Sequence, residues 1–323
     1  MKVLVTGSAG FVGSHLSEYL KKKAFDVVGL DNFSPYYSPD YKRRTSEILL
    51  GQGIRTLEAD LRNASDLDSL PGHFDYIFHL AAQSGISTTS TFDDYLTNNV
   101  TGTQNLIAFA QRNPSLKLFV NISTSSVYGA DACRDESAPA APISYYGVTK
   151  LAAEQLVLAQ SREHKFRAVS LRLYSVYGPR ERPEKLYPIL IRSAFSNEPF
   201  PLFEGGDRHL RSFTYVGDAV SGIASVTGRE DLVDGEVINI GSAEQYATLD
   251  GIRLVEKLTG QSIRIENVPK RPGDQLRTQA IIDKARTLLD YNPVTSLEQG
   301  LKMQIEHYFD ERKEGNNGRK ADA

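Results

Sequence analysis

Short apolar runs rich in β-branched residues alternate with amphipathic stretches through the first hundred residues. The runs lie at residues 2–6, 26–30, 54–58 and 76–80, and each is followed by a turn and a helical pattern. Alternation of this kind is typical of parallel strands joined by crossover helices. The pattern therefore predicts an α/β fold with a doubly wound parallel sheet.

The pattern continues with strands at residues 117–122 and 167–173 and a helix over residues 150–160. After Gly178 the composition changes, because five prolines fall within about two dozen residues. We therefore expect a smaller α/β domain there, with short elements in place of regular βα units. The run at residues 236–240 is predicted to be one more strand that returns to the large sheet, so the domains would be interleaved.

The expected domain boundaries follow from these changes. Residues 1–177, with a returning segment near 212–242, form the first domain, and residues 178–211 and 243–313 form the second. The polar segment 314–323 is expected to be a flexible tail.

The composition is that of a globular protein, and it excludes several classes. The chain has 323 residues, of which 40% are hydrophobic and 24% charged, and its formal net charge is −3. This charge offers no basic field for nucleic acid or for an anionic membrane surface. Cys133 is the only cysteine, which excludes an internal disulfide framework and a multi-cysteine zinc site, and no metal is expected. Since no apolar run reaches about 18 residues and the start reads MKVLVTG, unlike a signal peptide, we expect a cytoplasmic protein.

Gly7, Gly10 and Gly13 lie between the first strand and a helix that begins near Ser14. Glycines in such a loop allow a tight turn, close approach of the backbone to a pyrophosphate, and close helix–strand packing. The order G-x-x-G-x-x-G differs from the simplest dinucleotide fingerprint, but it heads a βαβ unit as that fingerprint does. The loop predicts a dinucleotide-binding Rossmann domain, and a plain glycine-rich turn is the alternative.

Asp31 ends the second strand about 20 residues after this loop. A carboxylate there accepts hydrogen bonds from an adenosine ribose and repels a phosphate, which favours NAD over NADP. Asn32 beside it and the nearby cations Lys42, Arg43 and Arg44 leave NADP open. An ordinary loop aspartate or helix cap is the other interpretation of Asp31.

Tyr146 and Lys150 are four residues apart at the start of a predicted helix, so they share one helix face. An ammonium group beside a phenol lowers the phenol pKa from about 10 toward neutrality, which makes the tyrosine a usable proton acceptor. Tyr145 is the alternative phenol, five residues from Lys150. The Y-x-x-x-K spacing is weak evidence alone and gains weight from the nucleotide loop upstream.

A cluster of hydroxyl groups, Ser123, Thr124, Ser125 and Ser126, lies at the carboxyl end of a predicted strand. Ligands of open parallel sheets bind at this edge. Thr124 or a neighbouring serine can therefore hydrogen-bond a substrate hydroxyl beside the tyrosine. Loop closure or helix capping is the alternative role for each of these residues.

Further motifs extend the pattern over nearly the whole chain. Besides VTGSAGFVGSHL and YGVTK, they are HLAAQ (79–83), NNVTGTQNL (98–106), STSSVYG (123–129), LRLYSVYGPRERP (171–183), RSFTYVGDAV (211–220) and RPGD (271–274). Together they resemble the extended short-chain dehydrogenase/reductase family, in particular its nucleotide-sugar epimerase branch. The resemblance is greatest to UDP-glucuronate 4-epimerases.

The resemblance implies that NAD stays bound through turnover. Asp60 and Leu61 are expected to contact the adenine, and Lys150 to hold the nicotinamide ribose as well. The full set of cofactor-binding residues that it implies is Gly7, Gly10, Phe11, Val12, Gly13, Asp31, Asn32, Asp60, Leu61, Leu80, Ala81, Ala82, Gln83, Asn99, Tyr146, Lys150, Tyr174 and Val176.

The resemblance also implies that the second domain binds a nucleoside diphosphate sugar. Arg211 and Arg271 are expected on the phosphates, for which arginine provides bidentate recognition, and Asp274 on the ribose. The remaining substrate-binding residues are expected to be Ser84, Ser125, Ser126, Ser175 and Arg182.

The expected reaction begins when Tyr146, as a phenolate, takes the proton of the sugar C4 hydroxyl while hydride passes to NAD. Dehydratases of the family have a pattern like T-D-E at the position of the hydroxyl cluster, and decarboxylating relatives often have a glutamate there. Here Ser125 and Ser126 follow Thr124 and cannot supply a carboxylate. A 4-epimerase is therefore favoured, in which the 4-keto sugar rotates and hydride returns to its other face. A decarboxylase, a 4,6-dehydratase and a non-catalytic NAD-binding regulatory protein are the alternatives.

The favoured substrate pair is UDP-glucuronate and UDP-galacturonate. The hydroxyl cluster and Ser175 could hold the carboxylate by neutral hydrogen bonds, with Arg182 nearby. Those enzymes commonly carry an arginine shortly after HLAAQ, whereas residues 84–87 of this chain read SGIS. The missing cation leaves UDP-glucose and UDP-N-acetylglucosamine as alternative substrates.

The resemblance also implies a homodimer, formed through the helix that carries Tyr146 and Lys150 and the helix near residues 99–111. No nucleic-acid or membrane partner is expected. His79 and His209 are expected to be structural or solvated rather than catalytic.

Overall fold

The computed structural model describes residues 1–87, 89–196, 198–269 and 277–321. Its strands are β1 (Lys2–Thr6), β2 (Asp26–Asp31), β3 (Arg55–Glu58), β4 (Tyr76–His79), β5 (Leu118–Thr124), β6 (Asp131–Ala132), β7 (Ala168–Leu173), β8 (Val176–Tyr177), β9 (Phe200–Phe203), β10 (Leu210–Arg211), β11 (Thr214–Tyr215), β12 (Val237–Ile240), β13 (Tyr246–Ala247), β14 (Ile265–Val268) and β15 (Arg277–Thr278).

Its α-helices are α1 (Phe11–Lys22), α2 (Pro39–Gly51), α3 (Phe92–Tyr95), α4 (Gly102–Gln111), α5 (Tyr145–Arg162), α6 (Leu186–Phe195), α7 (Val216–Ala224), α8 (Glu230–Val233), α9 (Thr248–Thr259), α10 (Asp283–Leu289) and α11 (Leu297–Ala321). Short 3₁₀-helices span Ala64–Ser69, Ser125–Tyr128 and Gly206–Arg208, and a π-helix spans Leu96–Thr101. None of the described helices has the length and apolarity needed to cross a membrane.

Seven strands form one parallel sheet in the order β12-β7-β5-β4-β1-β2-β3. The chain runs outward from β1 through β2 and β3, crosses back to β4, and continues outward on the other side. This is the predicted doubly wound arrangement. The reversal leaves a crevice at the carboxyl ends of β1 and β4, where ligands of such sheets bind.

Helices cover both faces of the sheet, and successive residues of a strand pack on opposite faces. Val3 and Val5 belong to one buried cluster, together with apolar residues of α1, α7 and α10. Leu4 and Ile77 belong to a second, together with residues of α4 and α5. Burial on both sides explains why the strands read as continuous apolar runs.

A third apolar core lies in the second lobe, which consists of α6, α9, α11, β9 and β14. Leu190, Ile252, Leu301 and Phe200 belong to this core. Small sheets accompany it: β9 pairs with β14, β8 with β11, and β13, β10, β15 and β6 form a four-stranded sheet. Because β6 precedes residue 177, that sheet joins segments from both predicted domains, and the exact division into domains stays a prediction.

The predicted strands are all present, with ends that differ by one or two residues. The run near residues 236–240 forms β12 and pairs with β7, so it returns to the large sheet as expected. At the other end of the chain, α11 continues to Ala321, so most of segment 314–323 has a helical backbone. The flexibility of that segment stays a prediction.

A buried ion pair connects α1 to the segment that leads into α6. Arg180 donates hydrogen bonds to both carboxylate oxygens of Glu18, at 3.0 and 2.6 Å, and to Nδ1 of His15 at 3.0 Å. His15 donates from Nε2 to the Pro179 carbonyl at 2.8 Å. Burial, with the charge of Arg180, lowers the pKa of His15 to about 4 and keeps the ring neutral. The helix that starts at the glycine loop is thereby held against residues 179–180.

Candidate active site

A cavity of about 610 Å³ lies at the carboxyl ends of the central strands. The glycine loop and the segments after β4 and β5 line one side, and residues of the second lobe line the other. The predicted site residues that line it are Gly7, Gly10, Phe11, Val12, Gly13, Asp31, Asn32, Asp60, Leu61, Leu80, Ala81, Ala82, Gln83, Ser84, Thr124, Ser125, Ser126, Tyr146, Lys150, Tyr174, Ser175, Val176, Arg182 and Arg211.

The glycine loop has the close packing that its spacing predicts. Gly7 has φ +70°, and a Cβ there would lie 2.8 Å from the backbone nitrogen of Ala81. A Cβ at Gly13 would overlap the carbonyl oxygen of Gly7. The first N–H groups of α1, as of any helix, have no intrahelical acceptor, and no side chain caps them here. A cradle of bare backbone at a helix N-terminus fits a pyrophosphate.

Asp31 is buried at the end of β2, and hydrogen bonds from backbone N–H groups orient its side chain. Its carboxylate accepts hydrogen bonds from the N–H groups of Ala9 at 3.2 Å and Phe33 at 2.9 Å. Burial raises the pKa of Asp31, while the charge of Lys42 and these two N–H groups lower it. The carboxyl lines the cavity beside the glycine loop, in the position that fits an adenosine ribose.

Asn32 and Asp60 form a polar pair next to this carboxyl. The Asn32 amide donates to Asp60 at 3.1 Å, and Arg62 donates to the same carboxylate from Nε at 3.0 Å and Nη2 at 2.6 Å. Leu61 lines the cavity beside them. The pair therefore fixes the walls of the region expected to receive the adenine.

Asn99 does not line the cavity, contrary to the expectation of a cofactor contact, whereas its neighbour Asn98 does. Asn99 is buried in the π-helix and holds the segment after β4, since its Oδ1 accepts from the Gln83 N–H at 2.7 Å. Its Nδ2 donates to the Gln83 carbonyl at 3.2 Å and to Thr149 at 3.0 Å. Asn99 thus positions a lining residue rather than lining the cavity itself.

Tyr146 lies in the first turn of α5, which Ser144 caps by accepting a hydrogen bond from the Gly147 N–H at 3.1 Å. Its phenol hydrogen-bonds the Thr124 side chain and the backbone N–H of Gly85. These contacts bring the tyrosine together with the hydroxyl cluster and with the segment after β4. The cavity therefore contains a phenol with a hydroxyl and an N–H directed at its oxygen.

The pKa of Tyr146 is raised, whereas its spacing to Lys150 predicts a lowered pKa. Burial raises the pKa of Tyr146, and the Thr124 side chain, the charge of Arg182 and the Gly85 N–H are the leading groups that lower it. The spacing alone predicts that Lys150 lowers this pKa. Lys150 is buried one turn further along α5. The groups that act on the phenol therefore come mainly from other segments.

Lys150 is fully enclosed and has an anionic neighbour one turn further along α5. Burial lowers the pKa of Lys150 to about 8, and the charge of Glu154 raises it. Arg172 on β7 donates two hydrogen bonds to Glu154, at 3.0 and 2.6 Å. His79 stays neutral, because burial and the charge of Lys150 lower its pKa to about 3. Glu154 is thus the carboxylate that supports the ammonium charge.

Arg182 extends from the segment before α6 into the cavity. Its Nη1 donates to the Ser84 carbonyl at 3.1 Å, and its Nε lies 3.2 Å from a carboxylate oxygen of Glu184. The guanidinium also lies 5.3 Å from the ring centre of Tyr36. These contacts hold a cation between the two sides of the cavity.

Several lining residues were not singled out from the sequence. They are Tyr36 and Tyr37 from the segment DNFSPYYSPD (31–40), together with Asn98, Glu181 and Lys185. Asn98 and Glu181 fall within the motifs NNVTGTQNL and LRLYSVYGPRERP, whereas Tyr36, Tyr37 and Lys185 lie outside the motifs named above. Arg271 and Asp274, expected on the substrate, lie outside the described residues. Within the part of the chain that the structure describes, no cluster of three or more His, Cys, Asp or Glu residues could hold a metal ion.

Known proteins are similar to this chain in architecture and sequence. A Bacillus subtilis protein named uncharacterized UDP-glucose epimerase YtcB is 38% identical over 309 residues, which is 94% of this chain and 97% of that protein. UDP-glucuronate 4-epimerase 3 of Arabidopsis thaliana is 32% identical over 95% of this chain and 76% of its own length. A crystal structure of UDP-glucuronic acid 4-epimerase from Bacillus cereus, in complex with UDP-glucuronic acid and NAD, has a TM-score of 0.88 at 36% identity, over 96% of this chain and 99% of that one.

Residues 3–241 match the family described as NAD dependent epimerase/dehydratase. The matched segment contains the glycine loop, the hydroxyl cluster and the helix that carries Tyr146 and Lys150. The relatives and the fold confirm the resemblance noted in the sequence, and the chain belongs to the NAD dependent epimerase/dehydratase family.

Proposed function

We propose that the protein is an NAD-dependent 4-epimerase that interconverts UDP-glucuronate and UDP-galacturonate. The observation that carries this proposal is one cavity that joins a pyrophosphate cradle to a Tyr146–Thr124 hydrogen bond and to Arg182. The Bacillus cereus relative binds UDP-glucuronic acid and NAD in a fold of the same topology. The cofactor, when bound, supplies the acceptor and donor of hydride.

The protein's own residues move the proton. In the proposed step the Tyr146 oxygen takes the proton of the C4 hydroxyl, and the same oxygen returns it after the keto sugar has turned over. Thr124 and the Gly85 N–H stabilise the phenolate, because both are hydrogen-bonded to that oxygen. Lys150 contributes positive charge at the base of the site. Ser125 and Ser126 offer hydroxyls only, which disfavours elimination of water after oxidation.

A second candidate is epimerisation of a neutral sugar, either UDP-glucose or UDP-N-acetylglucosamine. Two observations favour it. The Bacillus subtilis relative is named as a UDP-glucose epimerase, and residues 84–87 read SGIS, without the arginine expected of UDP-glucuronate 4-epimerases after HLAAQ. Arg182, buried in the cavity wall, favours an anionic sugar instead. Decarboxylation and 4,6-dehydration remain the other reaction outcomes to be distinguished.

We also propose a cytoplasmic homodimer. The faces of α3 and α5 expose Phe92, Tyr145 and Val148, and the rings of Phe92 and Tyr145 pack together with centres 5.2 Å apart. An exposed apolar patch of this kind favours association, and the single cysteine favours a reducing compartment. Sedimentation equilibrium should give twice the mass of one chain, and a single-chain mass at micromolar concentration would exclude the dimer.

The substrate is tested by incubating the purified protein, without added cofactor, with UDP-glucuronate, UDP-glucose or UDP-N-acetylglucosamine. Anion-exchange chromatography and mass spectrometry should show an isomer of unchanged mass from UDP-glucuronate. Conversion only of a neutral sugar would establish the second candidate. Loss of carbon dioxide or water would contradict epimerisation, and no product from any donor would favour a regulatory NAD-binding protein.

The proton acceptor is tested by replacing Tyr146 with Phe. Because the phenol oxygen is removed while the ring stays, turnover should fall by about 10²- to 10⁴-fold, and NAD should remain bound. Tyr145→Phe is the matched control, since Tyr145 is adjacent but largely exposed and should keep full activity. Loss of activity in the Tyr145 variant, with activity retained in the Tyr146 variant, would show that Tyr145 and not Tyr146 is the proton acceptor.

The role of Glu154 is tested by the pH dependence of kcat/KM. Lys150 carries its charge below its pKa of about 8, and Glu154 raises that pKa, so Glu154→Gln should move the alkaline limb to lower pH. Glu163→Gln, at an exposed position after α5, should leave the limb unchanged. An unchanged limb in a folded Glu154 variant would show that Lys150 does not control this limb.

A further inference from the structure

Arg180, in the turn that leads to α6, has a backbone conformation that its residue type rarely adopts. Its φ is +65°, in the left-handed region that disfavours residues with a Cβ. Such a conformation persists where contacts of the surrounding structure hold it. The side chain of Arg180 supplies those contacts, because it is only 12% exposed and donates to both carboxylate oxygens of Glu18 and to Nδ1 of His15.

The partners of Arg180 belong to α1, a helix that packing on the sheet holds in place. Leu16 on this helix is fully buried, and a Cβ on Gly13 would overlap a backbone oxygen of the glycine loop. Gln52, just after α2, donates a hydrogen bond to Glu18 at 3.0 Å and orients its carboxylate. The ion pair therefore ties the turn to the helix that begins at the glycine loop.

The two residues after Arg180 line the cavity. Glu181 accepts a hydrogen bond from Gln304 of α11 at 2.9 Å, and Arg182 donates to a backbone carbonyl of the segment after β4 at 3.1 Å. Because peptide units are planar, the φ of Arg180 determines the direction in which the chain continues along the cavity wall. The glycine loop and this wall are thus connected through Glu18 by a path that lies outside the cavity.

We propose that Arg180 is a positioning residue for hydride transfer, because its ion pair with Glu18 fixes the turn at residues 178–182 relative to the glycine loop. In the proposed reaction this turn faces the sugar nucleotide and the loop faces the cofactor. The ion pair then sets the distance between C4 and the cofactor without touching either. A displacement of about 1 Å can slow a reaction between two bound groups by about 10²-fold. This inference rests on the proposed 4-epimerisation, and it holds for an acidic or a neutral sugar alike.

The test measures kcat per molecule of bound NAD in the double variant Glu18→Gln/Arg180→Asn. Asn tolerates a positive φ but is too short to reach residue 18, and the double change leaves neither charge of the pair buried alone. The value should fall by about 10- to 100-fold, with little change in KM and with NAD still bound. Substrate with deuterium at C4 should show an isotope effect no smaller than in the wild type, because hydride transfer is the step that slows.

Two comparisons separate positioning from a general loss of stability. Arg229→Asn removes an arginine that pairs at 2.7 Å with Asp290, which also has a positive φ, of +52°. Neither lies among the described residues that line the cavity, so this matched control should keep the wild-type kcat per bound NAD. The reductions in the single variants Glu18→Gln and Arg180→Asn should not add up in the double variant, since both break one interaction.

A wild-type kcat per bound NAD in the double variant would overturn the inference, because a purely structural role changes only the amount of folded protein. A rise in KM alone, a smaller isotope effect or loss of NAD would also overturn it. Additive effects of the two single changes would show that Arg180 does not act through Glu18. If the wild type itself epimerises no UDP-sugar, the proposed function fails and the inference fails with it, a result seen before any variant is compared.

Discussion

The path of the backbone after β4 is the constraint on which both halves of the site depend. Its start is held by Thr6, whose hydroxyl accepts hydrogen bonds from two successive N–H groups at 3.2 Å each. Gly7 packs against Ala81 so closely that a side chain would not fit. A few residues later the same segment turns at Gly85 and donates its N–H to the phenol of Tyr146. The distance between the glycine loop and Tyr146 is therefore set by a short stretch of fixed backbone.

Burial determines the charge of the groups around that backbone. It raises the pKa of Tyr146 and lowers the pKa of Lys150, so both shifts work against a phenolate beside an ammonium. Specific contacts oppose burial: hydrogen bonds to the phenol oxygen in one case, and the carboxylate of Glu154 in the other. Burial likewise raises the pKa of Glu181 to about 8, while Gln304 and the charges of Lys185 and Arg182 lower it. Burial thus favours the neutral forms of Tyr146, Lys150 and Glu181, and the neighbouring charged and hydrogen-bonding groups oppose it.

The sequence predicts those parts of the fold and site that short stretches of chain encode. The strand pattern and the glycine loop each depend on neighbours within about one βα unit. Asn98 lines the cavity beside the predicted Asn99, which is buried in the π-helix and bonded to Gln83. Lys185 meets Gly85 across about 100 residues of sequence, and only the packing of the second lobe against the sheet brings them together. Contacts of that kind follow from tertiary structure rather than from local pattern.

In the proposed reaction, a hydride leaves C4 of the sugar and returns to the opposite face of the same carbon. UDP-glucuronate carrying deuterium at C4 tests this claim most directly, with the product examined by NMR and mass spectrometry. The product should be UDP-galacturonate that retains the deuterium at C4, without incorporation of solvent hydrogen at that carbon and without a change in mass. Loss of the label to solvent, or a product that lacks carbon dioxide or water, would contradict it.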